Sequence, residues 1–124
     1  MHKKKILIVE DDESISVLEK DLLEREGFQV EIARDGAEGL ERIKNNRYDA
    51  IISDFEMPKM KGDQLYLKVM TLNQEQAKRI IFVSGNINEF IESTGNRFLP
   101  KPFSSKALVK LVKDFIKHNR GSTQ

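Results

Sequence analysis

Short apolar runs alternate with longer amphipathic stretches along the whole chain. Ile6-Leu7-Ile8-Val9 is a continuous apolar run, which predicts a strand buried on both faces. Glu13 to Glu26 carries Ile15, Leu18 and Leu22 at helical spacing, and Gly27 supplies a stop. Phe28, Val30 and Ile32 alternate, as in a strand nearer the sheet edge. Asp35-Gly36-Ala37-Glu38 fits a capping box, with Asp35 as N-cap and Glu38 as its reciprocal partner. The helix it opens turns Ala37, Leu40 and Ile43 inward and ends at Asn45-Asn46. Ala50-Ile51-Ile52 predicts a third strand that stops at Ser53-Asp54. Pro58 and Gly62 bracket a loop, and Leu65, Val69 and Leu72 mark a third helix. Ile80-Ile81-Phe82-Val83 is the fourth strand. Ile87 to Ser93 leaves room for only about two turns of helix, closed by Gly95-Asn96. Arg97-Phe98-Leu99 is a short last strand, and Pro100, which lacks an N–H, belongs at its end or at the sheet edge. Ser104 caps a final helix with Leu108, Leu111, Val112, Phe115 and Ile116 on one face. Residues after Asn119 are polar and are expected to fray.

A β-α unit repeated in this way predicts an α/β fold: a five-stranded parallel sheet, doubly wound, with helices on both faces and a short fourth helix. The 124 residues suit one domain over 1–124, with an ordered core at about 4–118 and a polar tail at 119–124. The apolar share of 39% is enough for one core, and no run approaches a membrane span. Neither a signal segment nor a membrane partner is expected, so the cytoplasm is the default location. The net charge of +1 gives no reason to expect direct nucleic-acid binding, and Lys3-Lys4-Lys5 reads as a solvated chain start. Cysteine is absent, which excludes disulfides, thiol catalysis and thiolate metal sites.

In an open parallel sheet, sites form beyond the carboxyl ends of the strands. Glu10, Asp11 and Asp12 follow the first strand, Asp54 ends the third, Ser84 follows the fourth and Lys101 follows the fifth. Two carboxylates about 4 Å apart repel by about 4 kcal/mol at an effective dielectric near 20. Such a group must take up protons or recruit cations. Lys101 neutralises one charge, and a hard divalent ion would neutralise more. Oxygen-only donors favour Mg²⁺, with Mn²⁺ or Ca²⁺ as substitutes, over Zn²⁺. That set suits phosphoryl transfer to a carboxylate, where catalysis is mostly positioning and charge neutralisation. Asp12 reads as a helix N-cap rather than a ligand. His2 and His118, near the termini, are given no role.

Four stretches together resemble the receiver domains of two-component response regulators. They are Ile6 to Glu13, Ser53 to Gly62, Val83-Ser84-Gly85 and Leu99 to Phe103. The resemblance implies the flavodoxin-like strand order 2-1-3-4-5. It implies a phosphoacceptor and not an enzyme, a domain that assists only its own phosphorylation and dephosphorylation. By this resemblance Asp54 is the phosphorylated residue and also a metal ligand. Asp11 binds the metal directly, Glu10 acts through water, and the Glu56 backbone carbonyl completes the protein ligands. Ser84 is the hydroxyl that moves to the phosphoryl group, Lys101 binds a phosphoryl oxygen, and Phe98 holds the aromatic switch position. Glu56 and Asn86 flank the phosphoryl position and tune its hydrolysis. The implied partners are a histidine kinase or phosphotransfer protein, a downstream output protein and a phosphorylation-dependent second copy. Lys61 stands where an acid is common, Phe98 lacks a hydroxyl, and the segment from Ser84 to Lys101 is shorter than usual. Two other classes stay open: a constitutive scaffold on the same fold, and an aspartate-nucleophile phosphatase or flavin carrier. Glu56 in place of a second aspartate, and the lack of a Gly-rich phosphate loop, weigh against the last two.

Overall fold

A computed structural model describes the backbone of residues 3–122 and the side chains of residues 3–118. His2 and the end of the polar tail lie outside these residues. The elements in chain order are β1 (Lys5–Val9), α1 (Glu13–Arg25), β2 (Gln29–Ala33), α2 (Gly36–Asn45), β3 (Ala50–Asp54) and α3 (Gly62–Leu72). Next come α4 (Gln74–Ala77), β4 (Ile80–Ser84), α5 (Glu89–Thr94), β5 (Phe98–Pro100) and α6 (Ser105–Ser122). The five strands form one parallel sheet in the order β2-β1-β3-β4-β5.

Alternate strand residues point to opposite faces, and the core divides accordingly. Leu7, Val9, Ile51, Ile80 and Phe82 pack with Ile43 of α2, Leu65 and Val69 of α3, and Ile91 of α5. Ile6, Ile8, Ile52, Ile81 and Val83 pack with Leu23 of α1 and with Leu108, Val112 and Phe115 of α6. Burying each such side chain contributes roughly 1.5–3 kcal/mol.

The caps reflect the local sequence. Asp12 accepts from the Ile15 N–H at 3.1 Å, Asp35 from the Glu38 N–H at 2.8 Å, and Ser104 from the Ala107 N–H at 3.1 Å. The box at α2 is not reciprocal, because the Glu38 carboxylate takes the Arg34 N–H at 2.6 Å. Gly95 closes α5 at φ 74°, a left-handed conformation that glycine adopts without strain.

Several expectations are corrected. The inward side of α1 is Ser16, Glu19 and Leu23, while Ile15 and Leu18 are exposed. Leu72 of α3 and Ala37 of α2 face outward; Tyr66 and Gly39 take the buried positions. In α1 the spacing was right and the phase was displaced, because several apolar stripes share one helical period, whereas in α2 and α3 Ile43, Leu65 and Val69 are buried as expected and only one position of each stripe falls outside. The short α4 was missed: its residues Gln74 to Ala77 are mostly polar, and Asn73 caps it through the Gln76 N–H at 3.2 Å. Helix α6 continues to Ser122, past the expected loss of helix after Asn119. Among the described residues, no helix is long and apolar enough to cross a membrane.

Candidate functional site

The sheet's hydrogen bonds run on past the strand ends and so hold the next residues in place. The Glu10 N–H donates to the Ala33 carbonyl at 3.0 Å, the Phe55 N–H to Val83 at 2.8 Å and the Lys101 N–H to Ser84 at 2.8 Å. Val9 pairs with Ser53, so Glu10 and Asp54 emerge side by side where the strand order reverses. Carboxylate oxygens of Glu10, Asp11 and Asp54 lie within 4.8 Å of one another. Asp54 and Glu10 are each 5% exposed, whereas Asp11 is open to solvent.

Lys101 brings the compensating charge. Its Nζ lies 2.9 Å from Asp54 Oδ1, and the Lys101–Pro102 peptide is cis. Burial acts to lower the lysine pKa, but the bond to Asp54 and the charges of Asp54, Glu10 and Glu56 prevail and hold it above the ordinary value. One ammonium does not balance the site. Burial, reinforced by the Asp54 charge and opposed by the Asp12 N–H at 3.0 Å, pushes the Glu10 pKa up to about 7. Three converging carboxylates beside a single ammonium present an oxygen-only donor set, and that set fits a hard cation such as Mg²⁺.

Of the residues selected from the sequence, Glu10, Asp11, Asp54 and Lys101 meet directly. Ser84 joins them through Glu56: the Ser84 hydroxyl donates to the Glu56 carboxylate, and the Glu56 N–H donates to Asp54 Oδ1 at 3.2 Å. The side chain of Glu56 therefore has partners of its own, beyond its backbone carbonyl. Phe98 stays apart from the carboxylates, half-buried against the cluster of Phe82 and Ile91. His118 is on the exposed side of α6, with Nδ1 2.8 Å from the Asp114 carbonyl.

Sequence reasoning missed two features. Glu19 of α1 is 4% exposed and lines an apolar groove of about 510 Å³, together with Leu18, Leu22, Pro102 and Phe103 and with Glu10 and Lys101. Burial first, then the charges of Glu10 and Asp54, push its pKa up to about 7. Its signal was present as the stripe Ser16, Glu19, Leu23. Phe55, the residue after Asp54, sits 5.8 Å from Phe82 and 6.2 Å from Phe90 between ring centroids. Tyr66 completes the aromatic group at 5.8 Å from both Phe82 and Phe90.

A family model described as response regulator receiver domain matches residues 6–113. The transcriptional regulatory protein CpxR of Escherichia coli is 31% identical over an alignment that covers 97% of this chain and 52% of CpxR. CutR of Streptomyces coelicolor, also a transcriptional regulatory protein, is 30% identical over 88% of this chain and 52% of its own. The chain thus spans about half the length of these relatives. Among solved structures, a CheY-like receiver domain protein from Methanospirillum hungatei superposes with TM-score 0.89 at 30% identity, covering 98% of this chain and 99% of that one. The Vibrio cholerae chemotaxis protein CheY4 superposes with TM-score 0.81 at 30% identity, covering 92% and 99%.

Proposed function

This chain belongs to the response regulator receiver domain family, and from that membership we propose that it is a phosphoacceptor switch in which Asp54 receives the phosphoryl group. The observation that carries this role is the setting of Asp54. Its buried carboxylate lies at a strand end, in reach of Glu10 and Asp11 and 2.9 Å from an ammonium group. A carboxylate oxygen of Asp54 attacks phosphorus; the bond from phosphorus to the donor's imidazole nitrogen, or to the oxygen of a small acyl phosphate, breaks; an aspartyl phosphate forms. Lys101 binds a phosphoryl oxygen and offsets the charge that accumulates there. The Ser84 hydroxyl donates to another phosphoryl oxygen and Phe98 repacks, so the added charge biases a two-state surface. Asp11 and Asp54, with the Glu56 carbonyl and with Glu10 through water, would hold Mg²⁺, or Mn²⁺ or Ca²⁺ in its place. When bound, the ion supplies charge neutralisation for the transferred group.

In this role residues 1–124 act as one receiver domain in the cytoplasm, without direct nucleic-acid or membrane contact. The donor is a histidine kinase or phosphotransfer protein. Output passes to another protein or segment, or to a second copy of the chain, and no other substrate is turned over. Acetyl phosphate with Mg²⁺ should add one phosphoryl mass to the intact protein. Asp54→Ala should abolish the increment, and chelation of the metal should suppress it. Undiminished labelling of Asp54→Ala would exclude this assignment.

A further inference from the structure

Ser84 is 0% exposed, and its hydroxyl has a single proton to give. Acceptors within reach are the Glu56 carboxylate and, at 2.9 Å, the Asn86 carbonyl. The other Glu56 oxygen receives the Gly85 N–H at 3.4 Å, and the Asn86 N–H donates back to Ser84 Oγ at 3.2 Å. An ionised carboxylate is a stronger acceptor than a carbonyl, so the proton goes to Glu56. Glu56 itself is exposed. Its side chain could be wholly hydrated, yet it folds back over the end of β4.

We propose that the Glu56 carboxylate is an internal competitor of the phosphoryl group: it holds the Ser84 hydroxyl and the Gly85 N–H in the unmodified protein and must release them before a phosphoryl group on Asp54 can use them. Resting on the phosphoacceptor role above, this makes Glu56 a positioning residue that acts through Ser84. One proton cannot serve both acceptors. Glu56 is tied to the site by its own N–H on Asp54, so a change of side-chain rotamer is enough to open the latch into water. A phosphoryl group on Asp54 would repel the carboxylate as it takes the hydroxyl. The two events are linked, so whatever weakens the latch strengthens phosphoryl binding, by at most the same factor.

Beryllofluoride with Mg²⁺, a stand-in for the aspartyl phosphate, tests the latch by amide NMR titration of the full chain. Glu56→Ala should tighten binding about tenfold, as expected for removal of one competing charge-assisted hydrogen bond. Glu56→Gln should fall between, because its amide oxygen still accepts but carries no charge. In a Ser84→Ala background the gain from either substitution should largely vanish. The Gly85 amide resonance of the free protein should shift in both Glu56 variants. Unchanged or weaker binding in the Glu56 variants overturns the latch. So does a gain that persists in full without the Ser84 hydroxyl, since that would be plain charge repulsion. Lack of beryllofluoride binding in every protein that retains Asp54 would instead overturn the phosphoacceptor role.

Discussion

Glu19 lies at the edge of the α1–sheet contact, in the wall of the apolar groove, with no hydrogen bond or ion pair among the described residues; the charges of Glu10 and Asp54 repel it and that of Lys101 partly offsets them. Its pKa rises from an ordinary 4.5 to about 7. Between those values the folded chain keeps a proton that the unfolded chain has lost, so stability falls as pH rises through the window and stays low above it. A displacement of this size corresponds to about 3 kcal/mol as an upper limit. Glu19→Gln should therefore be more stable than the parent at pH 8 by roughly 1–3 kcal/mol and nearly equal to it at pH 4. Urea unfolding at the two pH values checks this, and parallel behaviour of the two proteins would refute it. Residue identity alone revealed the acids after β1 and the lysine after β5, because strand ends are predictable. It did not reveal Glu19, because an acid between Leu18 and Leu22 looks like a surface residue until the phase of the helix is known.

At the scale of elements, the loop from β3 to α3 decides where Asp54 and Glu56 point. Gly62 closes it, donating its N–H to the Phe55 carbonyl at 2.9 Å. A Cβ built on Gly62 would lie 2.8 Å from the Phe55 Cα, which is backbone and cannot rotate away. Gly62→Ala should cost about 1–3 kcal/mol and weaken beryllofluoride binding, read by thermal unfolding and by titration. A stable variant with full binding would show that the loop yields. The sequence marked this loop by Pro58 and Gly62, and the strands by their apolar runs. Helix faces were harder. In α1 the exposed Ile15 and Leu18 keep the same period as the buried Ser16, Glu19 and Leu23. Only the angle at which the helix meets the sheet distinguishes them. The six-residue α5 is held by Ile91, 1% exposed, and by Phe90 against Phe55 and Tyr66. That contact is between side chains distant in sequence and has no local signal.

For the whole molecule, the alternation of elements was enough for the parallel sheet, while its order came from family resemblance. The site arises from that order, since β1 and β3 are neighbours and their ends project acids together. Ligand binding there should raise global stability by mass action, by about 2.7 kcal/mol at a free concentration 100 times Kd. Mg²⁺ with beryllofluoride should therefore raise the Tm of the parent and leave that of Asp54→Ala unchanged. Calorimetry with and without chelator separates the metal's share. A further consequence concerns the rim of the sheet. β5 is three residues long and ends in Pro100, which has no N–H to offer. A stray extended peptide finds almost no ladder to extend at that border. Concentrated samples should accordingly resist growth of fibrils from this side, and lengthening the rim by replacing the proline is the change that would expose the chain to it.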